Sequence, residues 1–229
     1  MAKHFDLEEQ EQLDQLKHFW ARYGLAITWL LILVLGAFAA WNGYQFWERR
    51  QSGQASALYD EVERAAQSGD VALLERAGAD IRDKYRRTTY ASQAALLEAR
   101  VLEEKQKTDG ARAALSWLID NGADDGYKAV ARLRLAALLL DTKAYDDALK
   151  ALSATVPPAF QPLVADRRGD VLLSQGKRDE ARAEFQRAHS QLEPGSDLRH
   201  LVEIKLNALG VDPATLAGKA QASTPENAK

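Results

Sequence analysis

The chain has 229 residues, 46% of them hydrophobic and 28% charged, which is enough for one packed domain of ordinary size. Its 30 basic and 33 acidic side chains give a formal net charge of −3, which argues against a nucleic-acid partner because such partners select basic surfaces. The chain has no cysteine, which excludes disulfides, thiolate metal sites and cysteine nucleophiles.

Residues 1–22 are predicted to form an amphipathic arm. Leu13, Leu16 and Trp20 fall on one helical face at spacings of three and seven residues. Such an arm could dock on a partner. The favoured interpretation is a solvated helical extension of the segment that follows.

Residues 23–47 are predicted to span a membrane. These 25 positions contain no charged residue, and about 20 apolar residues suffice to cross a hydrocarbon core of about 30 Å. A helix is the only single segment that satisfies its own backbone polar groups there. Trp20 and Tyr23 at one edge, and Trp41, Tyr44 and Trp47 at the other, predict interfacial aromatic belts.

Two questions about this segment stay open from the residues alone. Residues 37–39, AFA, have the form of a signal-peptide cleavage site, but the preceding region is long and acidic rather than short and basic. Lys3, Lys17 and Arg22 before the span match Arg49, Arg50 and Arg64 after it, so the distribution of positive charge does not decide the orientation.

A row of small residues marks one face of the predicted span. Gly36, Ala40 and Gly43 recur at i, i+4 and i+7, a spacing that lets a second transmembrane helix approach closely. The alternative is that glycine and alanine are simply common in membrane helices.

Residues 48–209 are predicted to form an all-α domain of repeated helical hairpins. Four positions recur at an offset of 33 residues, and an upstream copy recurs at 37. The three copies are Ala99, Leu102, Ala111 and Leu115; Ala136, Leu139, Ala148 and Leu152; and Gly169, Leu172, Ala181 and Phe185. A weaker first hairpin covers residues 55–85.

This pattern resembles the tetratricopeptide repeat, a helix–turn–helix unit of about 34 residues. The small residue on the first helix of each unit would let the second helix pack closely, and stacked units would bury a continuous core. Arg132 departs from the repeat pattern, which often has an aromatic residue there. An ordinary helical bundle is the alternative.

The end of the chain is predicted to contain one more helix and a tail. Ser196 and Asp197 would cap a helix over residues 198–209 that covers the end of the stack, and Gly210 would end it. Residues 210–229 have few large apolar side chains, so a disordered tail is expected.

The sequence contains no pattern that indicates catalysis, a metal or a cofactor. The four histidines have no zinc-ligand spacing, and the nucleophile-elbow, dinucleotide-binding, Walker A and zinc-protease motifs are absent from the sequence. His200 and Glu203 lie one turn apart but are expected to be surface residues. We therefore expect a non-enzymatic protein without a cofactor or a small-molecule substrate.

A protein-binding groove is predicted on the first helices of the repeats, where helical-repeat stacks usually bind. It is apolar with acidic residues, which suits a helix or an extended segment of a partner. The predicted groove residues are Leu96, Arg100 and Glu103; Leu133, Ala137, Leu140 and Asp141; and Asp166, Asp170 and Leu173. Arg100 is the only basic residue in this set. The alternative is that several of these side chains pack inside the stack.

Nearly the whole chain resembles the ancillary subunits of the bacterial SecYEG translocon. The resemblance rests on residues 8–12 (EEQEQ), 17–20 (KHFW), 23–24 (YG), the span itself, 45–47 (QFW), 128–130 (KAV), 133–136 (LRLA), 164–169 (VADRRG) and 172–174 (LLS). It implies a single-pass inner-membrane protein with a cytoplasmic N-terminus and a tetratricopeptide-like periplasmic domain. It also implies association with the translocon and with a membrane-anchored, isomerase-like periplasmic chaperone that assists newly exported proteins.

Two other functions are compatible with the same architecture. One is a scaffold for the assembly of envelope complexes. The other is a stress-regulatory membrane protein that a protease degrades. The identity of co-purifying proteins would separate the scaffold from a translocon subunit, and rapid loss of the protein under changed growth conditions would support the regulatory role.

Overall fold

The computed structural model describes residues 7–212, without the side chains of 7–12 and 14. In that range all regular elements are helical, as predicted. They are α1 (Leu7–Ser68), α2 (Val71–Lys84), α3 (Thr89–Glu104), α4 (Thr108–Asn121), α5 (Asp125–Asp141), α6 (Tyr145–Ala151), a 3-10 turn (Pro158–Phe160), α7 (Gln161–Ser174), α8 (Arg178–Gln191) and α9 (Asp197–Ala208). The chain divides into two units, Met1–Gly53 and Gln54–Lys229.

The first unit contains the part of α1 that is apolar all round. Among the described residues, α1 is the one helix long and apolar enough to cross a membrane. Its large apolar side chains are exposed; Leu25, for example, is 77% exposed. Thr28 Oγ1 donates to the Gly24 carbonyl at 2.7 Å, and Asn42 Nδ2 donates to the Phe38 carbonyl at 3.0 Å. The span therefore satisfies these polar groups with its own backbone.

From Leu7 onward the predicted arm is helical and continuous with the span, as the favoured interpretation of that arm expected, and residues 1–6 of the arm lie outside the described residues. Leu13, Leu16 and Trp20 are all exposed, so no described residue covers their shared face. The proposed limits of the arm, the span and the repeat domain are not marked by breaks in α1. The predicted tail lies outside the described residues from position 213 onward.

The second unit begins with the hairpin of α2 and the last part of α1. Val62 and Ala65 on α1 are fully buried with Leu74 and Ile81 on α2. Gly69 makes the turn between the helices with φ of +67°, a left-handed conformation that favours glycine. This hairpin matches the predicted first pair.

Three further hairpins follow, α3 with α4, α5 with α6, and α7 with α8. The small residues of the repeat lie where their helices meet: Ala99, Ala136, Ala111, Ala148 and Ala181 are at most 2% exposed, and Gly169 is buried. A Cβ at Gly169 would lie 2.5 Å from Phe185 Cε1, which is too close for real atoms. Gly169 therefore permits the approach of α8, and the prediction of close packing at the small residues is confirmed.

A buried ion pair joins α2 to α3. Glu98 is 3% exposed, and its carboxylate accepts hydrogen bonds from the guanidinium of Arg82, whose carbon lies 5.7 Å from the ring centroid of Trp117. Gly78 leaves the space that the Glu98 carboxylate fills. Burial raises the pKa of Glu98, although Arg82 acts in the opposite direction.

Candidate protein-binding surfaces

The small-residue face of α1 is accessible. Gly36, Ala40 and Gly43 are exposed, and a Cβ at either glycine would meet no atom within 4 Å. Another helix could therefore approach the backbone of α1 at these positions. Binding at this face stays a prediction.

On α3 the predicted groove residues divide into two kinds. Leu96 is partly buried and packs against the central hydrophobic core. Arg100 and Glu103 are exposed, and Arg100 Nε lies 3.0 Å from Glu104 Oε1 in an ion pair within the helix. Leu96 thus contributes to the stack, whereas Arg100 and Glu103 are surface residues that a partner could contact.

On α5 the row of Leu133, Ala137 and Leu140 is partly buried, and both leucines pack against the same core as Leu96. Asp141 is exposed at the end of the row. The predicted apolar row is therefore present, although its leucines give part of their surface to the stack, as the alternative expected.

Two hydrogen bonds that the sequence did not suggest connect α3 with α5. Arg134 Nη1 donates to the Leu96 carbonyl at 3.1 Å, and Gln93 Nε2 donates to Tyr127 Oη at 3.0 Å. Arg134, which is not among the predicted groove residues, therefore places a further basic side chain beside Leu96. A side chain that bonds a backbone carbonyl of another repeat leaves no periodic signal in the sequence.

On α7 the predicted groove differs most from the structure. Asp166 is only 7% exposed, and its Oδ1 lies 2.7 Å from Lys205 Nζ on α9. The same ammonium lies 2.7 Å from Asp170 Oδ1, and Leu173 packs against the cluster that α9 completes. The expectation that both carboxylates line an open groove is corrected: Asp166 is buried, and Lys205 binds them both.

Burial and the neighbouring lysine have opposing effects on the pKa of Asp166. Burial raises the pKa of its carboxyl above the ordinary value, while the hydrogen bond and the charge of Lys205 lower it. Lys205 Nζ also lies 5.1 Å from the ring centroid of Phe185, a cation–π distance. Lys205 interrupts the apolar pattern of α9, and its contacts with Asp166, Asp170 and Phe185 explain why it occupies that position.

A second polar cluster holds α9 against α8. His189 is 4% exposed, and its Nε2 lies 3.0 Å from Glu203 Oε1. Arg199 Nε lies 3.5 Å from the same oxygen, and the hydrogen bond with His189 is the main cause that lowers the pKa of Glu203. His200 is 78% exposed at its side chain and lies 3.7 Å from Glu203, so the expected surface pair is present beside a buried partner that the sequence did not indicate.

The predicted last helix is confirmed by this packing. Ser196 accepts a hydrogen bond from the Arg199 backbone N–H and caps α9, and Gly210 follows with φ of +78°. Val202 and Leu206 are fully buried in a cluster with Phe185. Between residues 7 and 212 no group of three or more histidine and acidic side chains is placed to hold a metal ion.

Known proteins are similar to this chain over nearly its whole length. Residues 17–211 match the family model for the tetratricopeptide repeat-like domain. The ancillary SecYEG translocon subunit of Neisseria gonorrhoeae is 33% identical over 213 residues, which cover 91% of this chain and 100% of that protein. The chain belongs to the family of ancillary SecYEG translocon subunits.

Other members of this family are similar over the same extent. The ancillary SecYEG translocon subunit of Haemophilus influenzae is 29% identical over 206 residues, and that of Escherichia coli is 28% identical over 207 residues. These alignments cover 90% and 89% of this chain, and 99% and 97% of the two relatives. The resemblance inferred from the sequence and the predicted repeat fold are both confirmed.

Proposed function

We propose that this chain is a non-enzymatic accessory subunit of the bacterial Sec translocon, held in the inner membrane by α1. The observation that carries the proposal is the extent of the likeness to relatives named for that role. The repeat domain over residues 48–209 is too short to account for an alignment of 213 residues with the Neisseria protein. The likeness therefore includes N-terminal sequence as well as the repeats.

The anchor would contact the channel through the face of Gly36, Ala40 and Gly43. Between transmembrane helices the hydrophobic effect gives little attraction, so close backbone approach and van der Waals contact provide most of the association. The exposed glycines offer such an approach, because nothing described in the structure lies against them.

The proposal is tested by purifying the tagged full-length chain in a mild detergent. Channel subunits should co-purify with it. They should be lost when residues 23–47 are replaced by an unrelated transmembrane segment of the same length, which keeps the membrane attachment. Equal recovery of the channel with both proteins would mean that α1 does not specify the association, and no enrichment with either would overturn the proposed function.

In this proposal the N-terminus is cytoplasmic and the repeat domain is periplasmic. The family resemblance of the sequence supports that orientation. The absence of cysteine allows a direct test with single cysteines introduced at the exposed Gln15 and Lys177. A membrane-impermeant maleimide should label Lys177→Cys in cells with a permeabilised outer membrane and should label Gln15→Cys only after lysis; the reverse pattern would contradict the orientation.

The repeat domain would recruit a periplasmic, membrane-anchored, isomerase-like chaperone through the face of α3 and α5. The row of Leu133, Ala137 and Leu140 on α5 is partly buried, and Glu103 on α3 and Asp141 at the end of α5 are exposed. An apolar strip edged by charge is suited to an amphipathic helix or an extended segment. The proposed surface leaves out Asp166 and Asp170, because both carboxylates are bound by Lys205.

Charge reversal at exposed positions tests this surface without disturbing the core. The double variant Glu103→Lys, Asp141→Lys should lose the chaperone in the same purification and retain the channel. Asp109→Lys, Glu180→Lys is the matched control, with exposed acids on α4 and α8. If the two variants retain the chaperone equally, this surface is not the recruitment site.

A further inference from the structure

An open cleft of about 430 Å³ lies among α4, α5 and α6. It is lined by the partly exposed Ile119 on α4 and Ala151 on α6, and by the buried Leu135 and Leu139 on α5. The cleft is distinct from the α3–α5 surface described above. Arg132, Leu135 and Leu139 share one side of α5 at i, i+3 and i+7, whereas the Leu133 row occupies another side of the same helix.

Three basic and two acidic side chains line this cleft, in a chain whose formal net charge is negative. Arg112, Arg132 and Lys150 line it with Asp120 and Asp147, an excess of one positive charge in a chain whose net charge is −3. One pair is satisfied internally, since Arg112 Nη2 lies 3.7 Å from Asp147 Oδ2.

Arg132 is the unusual member of this set. Its side chain is partly buried, yet within residues 7–212 it makes neither a hydrogen bond nor an ion pair. A guanidinium carries five N–H donors in a planar fork, so Arg132 can donate hydrogen bonds to an acceptor that enters the cleft. Arg132 also occupies the position where the repeat pattern often has an aromatic residue, so a charge replaces a packing group here.

In the next cleft along the stack, an arginine is paired with a carboxylate of the protein. That cleft has a volume of about 260 Å³ and contains Arg168, which lies 33 residues after Leu135. Arg168 Nε donates to Glu184 Oε1 at 2.9 Å. In the part of the chain that the structure describes, Arg132 has no such carboxylate partner, although Asp120 and Asp147 line the same cleft.

We propose that the α4–α5–α6 cleft binds a short segment of a partner protein in which an aspartate or glutamate adjoins a large apolar residue. The side-chain carboxylate would accept two hydrogen bonds from the Arg132 guanidinium, the geometry in which arginine binds carboxylates most strongly. The apolar neighbour would cover the partly exposed Ile119 and Ala151. The positive excess favours an acidic segment, and the apolar surface favours a peptide over a fully hydrated anion. This inference goes beyond the proposed function, because it concerns another face of the repeats and does not require the translocon.

The test uses the full-length protein in phosphatidylcholine nanodiscs as bait for a phage-displayed library of random dodecapeptides. Enriched peptides should contain Asp or Glu beside Leu, Ile, Val or Phe. The affinity of the most enriched peptide should fall about tenfold with Arg132→Gln, the loss expected for one charge-assisted hydrogen-bonded contact. It should be unchanged with Arg76→Gln, a control at an exposed arginine on α2 that does not line the cleft.

Each other outcome contradicts the proposal. No enrichment, or enrichment without an acidic residue, would show that the cleft does not select such segments. Equal binding to Arg132→Gln with a lowered melting temperature would mean that Arg132 has a structural role only. If nanodiscs containing phosphatidylglycerol abolish the binding that phosphatidylcholine supports, lipid headgroups rather than a peptide occupy the cleft.

Discussion

Lys205 Nζ on α9 lies 2.7 Å from Asp166 Oδ1 on α7, and this ion pair fastens the last helix to the end of the repeat stack. Asp170 shares the same ammonium at 2.7 Å. The two carboxylates would otherwise repel each other beneath α9. A single lysine thus stabilises the closed end of the domain and removes two acids from the surface that a partner could reach.

Replacing Lys205 by methionine should therefore destabilise the domain by about 2–3 kcal/mol, because it leaves Asp166 buried without its cation. Methionine keeps most of the apolar stem, so the loss measures the charge. The free energy of unfolding from urea titration checks this. The triple variant Lys205→Met, Asp166→Asn, Asp170→Asn should recover more than half of the loss; no recovery would show that packing, and not charge, was removed.

The same variant should change the pH dependence of stability. Burial raises the pKa of Asp166 in the folded state, so the folded protein binds more protons than the unfolded chain above about pH 4, and stability falls as pH rises through the folded pKa. Lys205 opposes this fall. In Lys205→Met the free energy of unfolding should decline more steeply than in the parent between about pH 4 and pH 7. Parallel curves would contradict the account.

Glu203 should give the free energy of unfolding a pH dependence of the opposite sign to that of Asp166. Its pKa is lowered in the folded state, chiefly by the hydrogen bond with His189, so its contribution is present above its unfolded pKa and is lost as pH falls through the folded pKa. Glu203→Gln should cost at most about 1 kcal/mol near pH 7, since the side chain is partly exposed, and should flatten the acid limb of the stability curve. The exposed Glu180→Gln should leave that limb unchanged. An equally steep acid limb in both variants would exclude Glu203 as its source.

Gly169→Ala should destabilise the domain even though alanine is the better helix former. The added Cβ would lie 2.5 Å from the ring of the fully buried Phe185. Overpacking costs about 1–3 kcal/mol, and the better helix propensity of alanine stabilises the helix by about 1 kcal/mol. We therefore expect the free energy of unfolding to fall by about 1–2 kcal/mol. The double variant with Phe185→Leu isolates the clash: the penalty of Gly169→Ala should be smaller in that background, and an equal penalty would show that the ring is not its cause.

The hairpin turns offer a stabilising change. Gln106, Lys143 and Gly176 occupy the same turn position of three successive repeats and have φ of 59°, 60° and 79°. Only the last is glycine, which tolerates this left-handed conformation without strain. Lys143→Gly should therefore raise the free energy of unfolding by about 0.5–1 kcal/mol, and Gly176→Ala should lower it by about 1 kcal/mol. Thermal unfolding of both variants checks the prediction, and changes of the same sign would contradict it.

Much of the fold could be predicted because each repeat packs in the same way, so the residues that allow this packing recur in the sequence. The offsets of 33 and 37 residues predicted which small residues lie between helices, and Ala99, Ala136 and Gly169 are buried there. The cap at Ser196 and the end at Gly210 were predicted from local chemistry, which needs no tertiary information.

The parts of the surface that could not be predicted depend on contacts made once. Lys205 reaches Asp166 across 39 positions of sequence, and this pairing follows from the angle at which α9 crosses α7. The contact of Arg134 with the Leu96 carbonyl likewise depends on the spacing of two repeats. A periodic pattern locates the faces of helices, but it does not show which face a later helix covers.

The most direct test of the central claim is photo-crosslinking in living cells from within α1. A benzophenone amino acid at position 40 lies on the small-residue face, and one at position 38 lies on the opposite side of the same turn of helix. We predict crosslinks to a channel subunit of the translocon from position 40 and far fewer from position 38. Equal crosslinking from both positions, or crosslinks to other membrane proteins alone, would contradict the assignment of this chain to the translocon through that face of its anchor.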